Sequence, residues 1–280
     1  MSINPEIGQT IRTGPFSTNY HDTGTGAPVL LIHGSGPGVS AWANWRLTLA
    51  ALSPHLRCLA PDMAGFGYSI VPADYHFTRQ NWLAQLIAFL DAKGIERTHV
   101  VGNSFGGSMA LALAITAPER VEKVVLMGSV GVPFTLTPGL DAVWGYTPSI
   151  DNMRAIMAFF AYDQSLIGDD LVRMRFEASA RAGVQENYAA MFPAPRQRWV
   201  DAMSHREADI RAVTHKTLLV HGRDDRIIPL KSSLTLNQWI DNSEVHVFGR
   251  CGHWTQIEHA ESFAALILSF LEPKREVPSH

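Results

Sequence analysis

The chain has 280 residues, 46% hydrophobic and 18% charged, a size and balance that suit one large α/β domain or a domain carrying an insertion. Its 23 basic and 26 acidic residues give a net charge of −3, which supplies no basic footprint for nucleic acid and no polybasic patch for a membrane surface. The two cysteines, Cys58 and Cys251, make no disulfide framework and fit a reducing, cytoplasmic setting; the start has no signal-peptide profile, no apolar run approaches a membrane span, and the twelve histidines lack metal-site companion spacings.

Residues 1–15 are polar, with Pro5, Gly8, Gly14 and Pro15, and read as a loosely held lead-in. A first strand is expected over 16–21, followed by the turn cluster 22–26. Val29-Leu30-Leu31-Ile32 is a continuous apolar run of strand length, as a parallel strand covered on both faces requires. It ends in His33-Gly34-Ser35-Gly36-Pro37-Gly38, a loop that lacks both G-K-[ST] and G-x-G-x-x-G. The remaining use of such a loop is to aim backbone N–H groups at a nucleophile as an oxyanion hole. A helix over about 41–52 and a strand over 56–60 follow, and then the second glycine-rich loop, 61–69. Thr78 is placed as an N-cap, with Phe77 and Trp82 at hydrophobic-staple positions, and Gly94 ends that helix.

A β-branched run, Thr98 to Val101, runs into Gly102-Asn103-Ser104-Phe105-Gly106 and then a small-residue helix. This is the nucleophile-elbow pattern, a serine on a sharp strand-to-helix turn. Another strand is expected over 121–127, so the order so far is that of a parallel sheet wrapped by helices. From about 132 to 206 the chain reads as helical pieces with Met153, Met157, Met174, Met191 and Met203. An insertion there lies over the carboxyl ends of the strands, where ligands bind. The expected organisation is therefore a core of 1–131 and 207–280 with a helical lid, 132–206. Strands over 217–220 and 245–248 resume the sheet, a last helix runs from about 258 to 271, and the tail after Pro273 reads as disordered.

Three loops, each after an expected strand, carry Ser104, Asp224-Asp225 and His253. In a parallel sheet such loops emerge at one edge, and Ser…Asp…His is the α/β-hydrolase order. A serine hydroxyl needs an imidazole to take its proton, and the imidazole needs an acid to hold its tautomer and stabilise its cation. The spacing Gly222-x-x-Asp225-x-x-x-Pro229 favours Asp225 as that acid, with Asp224 as a turn or ion-pair residue beside Arg223 or Arg226.

At these residues the chain resembles the α/β-hydrolase superfamily over nearly its whole length, and within it the meta-cleavage product hydrolases, closest to those acting on 2-hydroxymuconic semialdehyde and its alkyl homologues. The resembling stretches are 33–38 with Asn44, Gly102-Asn103-Ser104-Phe105-Gly106-Gly107, Met174-Arg175-Phe176-Glu177-Ala178, 196–199, Gly222-Arg223-Asp224-Asp225 and Cys251-Gly252-His253-Trp254. The resemblance implies an α/β-hydrolase fold, with a mostly parallel twisted sheet, helices on both faces and an inserted helical lid. It implies hydrolysis of a carbon–carbon bond in 2-hydroxy-6-oxohexa-2,4-dienoates, without a cofactor, in a homodimer or higher homo-oligomer. Ser104, His253 and Asp225 would be the triad, and the amides of Ser35 and Phe105 the oxyanion donors. Arg175 would clamp the substrate carboxylate, with Asn103, Asn44, Gly34 and Trp254 around the dienoate. Val130, Val200 and Ile228, which follow or flank the catalytic loops, are the expected apolar wall for the C6 substituent. The triad alone also permits a carboxylesterase or thioesterase, and the fold permits a low-turnover small-molecule receptor.

Overall fold

A computed structural model describes residues 4–72 and 74–272; residues 1–3, residue 73 and the tail from Pro273 on, which was expected to be disordered, lie outside the described residues. Among these, eight strands form one sheet in the order β1-β2-β4-β3-β5-β6-β7-β8. The runs without polar alternation become the interior strands β3 (Pro28–Ile32), β4 (Arg57–Pro61), β5 (Thr98–Asn103), β6 (Val121–Met127) and β7 (Lys216–Gly222), paired in parallel. Alternate residues of one strand feed two cores. Leu30, Ile32 and Val100 pack under α2 (Arg79–Ala92) and α3 (Phe105–Thr116) with Trp82 and Met109. Val29, Leu31 and Val101 pack under α1 (Ala41–Leu52) and the last helix with Trp45 and Phe263. Burial on both faces is what a parallel interior strand needs, and it explains why no alternation is visible in these runs.

The described part of the lead-in, residues 4–15, is not loose. β1 (Gln9–Thr13) pairs antiparallel with β2 (Phe16–Thr23), Gln9 opposite Tyr20 and Thr13 opposite Phe16. Its sequence, QTIRT, lacks an apolar alternation because it is an exposed edge strand. β8 (Ser243–Phe248) closes the opposite edge, parallel to β7. Thr78 caps α2 by accepting from the Asn81 amide at 3.2 Å, and the Phe77 and Trp82 rings lie 6.0 Å apart over that end.

Between β6 and β7 the chain is helical: α4 (Pro138–Trp144), α5 (Ile150–Phe160), α6 (Asp169–Ser179), α7 (Val184–Met191), α8 (Gln197–Met203) and α9 (Glu207–Arg211). α9 packs on α3 and on α10 (Leu230–Trp239), back on the sheet body. The last helix expected over about 258–271 is α12 (Ala260–Leu271), preceded by a short helix that was not expected, α11 (Thr255–Glu258); the two are separated at His259, whose ψ of 42° leaves the helical region. No described helix is long and apolar enough to cross a membrane.

Candidate active site

The elbow at Ser104 is a backbone problem before it is a chemical one. Ser104 sits at φ 54°, ψ −114° between β5 and α3, a conformation that costs on the order of 1–3 kcal/mol for a residue with a Cβ. It persists because both backbone groups are pinned. The Ser104 amide donates to Met127 O at 2.9 Å, and its carbonyl accepts from Gly107 at 3.0 Å and Val130 at 3.1 Å. The flanking glycines allow the close approach: a Cβ on Gly106 would lie 2.2 Å from Ile32 O, and one on Gly102 2.3 Å from Gly106 O. Phe105 opens α3, so its amide has no intrahelical acceptor. Its ring turns away into the core, edge-on to Trp82 at 4.8 Å.

The two aspartates after β7 have different surroundings. Asp225 is buried; its Oδ1 accepts the amides of Ile227 (2.7 Å) and Ile228 (3.0 Å), and its Oδ2 lies 2.6 Å from His253 Nδ1. Burial pushes this carboxyl up, but the His253 charge and the hydrogen bonds from His221 and His253 outweigh it and hold it below the usual carboxylate range. Asp224 is part-exposed and pairs with Arg223 at 3.2 Å. The His253 loop is fixed from three sides. Its amide donates to Phe160 O at 2.7 Å, the Phe160 ring lies 5.7 Å from the imidazole, and Glu258 accepts the Gly252 amide at 2.7 Å. Glu258 also takes the Tyr162 and Asp163 amides, at 2.7 and 3.0 Å, tying this loop to the end of α5.

The loop after β3 is held as tightly. His33 is fully buried, donating from Nδ1 to Gly34 O (2.7 Å) and accepting the Met63 amide at Nε2 (2.8 Å). Burial, opposed by the Gly34 contact, lowers its pKa to about 4, so the ring is a neutral anchor. Ser35 accepts from Trp144 Nε1 at its hydroxyl (3.0 Å) and from the Tyr188 hydroxyl at its carbonyl (2.9 Å). Helices α4 and α7 thus set this loop, while among the described residues the Ser35 amide is not engaged.

One cavity of about 770 Å³ takes in Gly34, Ser35, Asn44, Asn103, Ser104, Arg175, His253 and Trp254. Asn44 Oδ1 accepts the Gly34 amide at 3.1 Å, and its buried Nδ2 has no partner among the described residues. Asn103 Nδ2 reaches Met127 O at 3.4 Å, and Trp254 stacks on Phe160 at 5.2 Å. Val130, Val200 and Ile228 do not line the cavity: all three are buried in the core beneath it. Neighbourhood in sequence to a catalytic loop does not decide which way a side chain points. The apolar wall comes mainly from α4 and α5, through Leu140, Val143, Met153, Ile156 and Met157, with Ile227 added from the loop after β7. The cavity also includes residues that the sequence reading left aside, among them Phe160, Gln256 and Glu6. Glu6 comes from the supposed lead-in and pairs with Arg175; nothing in the sequence signals a contact between residues so far apart.

Comparison with known proteins agrees with this fold. The family model for the alpha/beta hydrolase fold matches residues 27–260. The chain is 56% identical to the 2-hydroxy-6-oxo-2,4-heptadienoate hydrolase of Pseudomonas putida, covering 96% of this chain and 98% of the relative. It is 57% identical to the 2-hydroxymuconate semialdehyde hydrolase of Pseudomonas sp. strain CF600, covering 96% and 95%. Among solved structures, it is similar to a serine-to-alanine mutant of the meta-cleavage product hydrolase CumD from Pseudomonas fluorescens complexed with acetates. The TM-score is 0.95 and the identity 53%, over 95% of this chain and 98% of that one.

Proposed function

The chain belongs to the α/β-hydrolase family, in its meta-cleavage product hydrolase branch, and we propose that it hydrolyses 2-hydroxy-6-oxohexa-2,4-dienoates to 2-hydroxypenta-2,4-dienoate and a small carboxylic acid. The observation that carries this reading is the composition of this cavity. Ser104 and His253 share it with an arginine-bearing face from α1 and α6 and a wholly apolar face from α4 and α5. A guanidinium can clamp a carboxylate through two parallel hydrogen bonds, so Arg175 takes the dienoate carboxylate, with the unpartnered Asn44 Nδ2 and Asn103 beside it. Breaking a C–C bond needs an electron sink, which ketonisation of the dienol to a 2,6-dioxo form supplies. Ser104, or a water it activates, adds to the C6 carbonyl; His253 moves the protons and Asp225 orients it. The amides of Ser35 and Phe105 hold the oxyanion, each such donor being worth about 10²–10³-fold in rate.

The insert, residues 132–206, serves in this reading as a lid over the core of 1–131 and 207–280. Its support is that Trp144 and Tyr188 hold the Ser35 loop while α4 and α5 line the pocket. The relatives named for a heptadienoate and for muconate semialdehyde support a small C6 substituent. The test is loss of the yellow absorbance of the dienoates formed by ring fission of catechol and 3-methylcatechol; no turnover by the intact enzyme overturns the reading. Arg175→Ala should raise KM for the dienoate at least about tenfold more than KM for a neutral aryl ester, from the loss of a charge-assisted pair. Equal effects on both substrates would take Arg175 out of carboxylate binding.

A further inference from the structure

The segment that looked like a lead-in reaches the substrate cavity. Asn4, Pro5 and Glu6 line it, and Glu6 is only 8% exposed although it carries a carboxylate. Its two oxygens have separate partners: Oε1 takes Arg175 Nη2, and Oε2 accepts from Ser40 Oγ at 2.9 Å, the hydroxyl that also caps α1. The backbone is fixed on both sides. The Glu6 carbonyl accepts from Asn19 Nδ2 at 3.0 Å, the Glu6 amide donates to Asn4 Oδ1 at 3.0 Å, and Gly8 donates to Asn19 Oδ1 at 2.9 Å. A carboxylate restrained in this way is a fixed counter-ion, not a plug that swings aside.

We propose that Glu6 is a positioning residue for Arg175, and that the N-terminal strap is thereby a part of the substrate-binding site. The inference rests on the reading that Arg175 receives the substrate carboxylate. Arg175 projects from α6 of the insert, and its other bond, Nη1 to Gly38 O, is long at 3.3 Å. A guanidinium has five donors in a rigid fork, so with Nη2 on Glu6 and Nη1 on Gly38 the plane is set and donors remain for a ligand. Arg46 lines the same cavity. Burial and then Arg175 disfavour the charge on Arg46, and Glu6 favours it. Without Glu6, two guanidinium groups would face each other with no fixed counter-charge, and the long, rotamer-rich Arg175 side chain would lose its carboxylate partner. Among the lining residues three arginines and two glutamates leave one net positive charge, which suits a monoanion.

Charge and position predict opposite signs, which makes the experiment decisive. Glu6→Gln keeps the shape and raises the positive charge of the cavity, so a purely electrostatic role would lower KM for the anionic dienoate. The positioning role predicts that KM for the dienoate rises about tenfold while kcat changes less than about threefold, as loss of one charge-assisted bond implies. It further predicts that Glu6→Asp falls between the wild type and Glu6→Gln, and that Glu6→Gln adds no further rise in an Arg175→Ala background. If Arg175→Ala raises KM but Glu6→Gln leaves it unchanged or lowers it, the role of Glu6 is overturned and that of Arg175 stands. If Arg175→Ala has no selective effect on the dienoate, both fail.

Discussion

At the scale of single residues, the site separates groups that the sequence leaves side by side. Asp224 and Asp225 are neighbours in one turn, yet one carboxylate is buried under two imidazoles and two amides and the other meets solvent and Arg223. Their functions should divide accordingly. Asp225→Asn, which removes the charge that stabilises the imidazolium and the acceptor that sets its tautomer, should lower kcat on the dienoate by on the order of 10³–10⁴-fold. Asp224→Asn should change it less than about twofold. Steady-state kinetics on both variants decide this, and comparable losses would move the orienting role out of Asp225.

At the scale of elements, the active site depends on how closely α3 seats against the sheet. The elbow glycines set that distance, since a methyl group at Gly106 would overlap the Ile32 carbonyl. Gly106→Ala should therefore cost on the order of 1–3 kcal/mol or more, as overpacking does, lowering Tm by several degrees and activity with it. Gly168, ahead of α6, is a fair control, because a Cβ there meets nothing within 4 Å; Gly168→Ala should shift Tm by less than about 2 °C. Calorimetry of the two variants tests whether close approach, and not backbone freedom alone, is what the elbow needs. The insert contributes at this scale too: Trp144, Tyr188 and Phe160 hold the two loops on either side of Ser104.

At the scale of the molecule, buried imidazoles couple stability to pH. Burial lowers the pKa of each of His33, His99 and His205 to about 4, from an ordinary value of 6.5. Between pH 6.5 and 4 the unfolded chain therefore binds protons that the folded one refuses, and stability falls as the pH falls through that window. Asp62 acts the other way: burial, opposed by hydrogen bonds from Ala41, Tyr68 and Asn19, raises its carboxyl to about 7, so the folded state holds a proton that the unfolded state releases. Three imidazoles outweigh one carboxyl. Tm should drop by about 5 °C or more from pH 7 to pH 5, and His205→Gln should flatten that slope. A Tm that is constant or rises on acidification contradicts the assignment.

Legible in the residues alone were the interior strands, the helices that cover them and the positions of Ser104, Asp225 and His253 in post-strand loops. Apolar runs, caps and turn glycines act over a few residues, and a parallel sheet brings such loops to one edge whatever lies between them. The same locality hid the edge strand Gln9–Thr13, whose face is too exposed to carry a pattern. What surrounds the reacting groups follows from long-range packing. The pocket wall is Leu140, Val143 and Met157 and not Val130, Val200 and Ile228, because the side from which a helix covers the sheet edge is a property of packing. Glu6 meets Arg175 because the antiparallel β1–β2 edge and the helical insert fold over the same end of α1, and a contact made by two long-range packings leaves no periodicity, spacing or motif behind it.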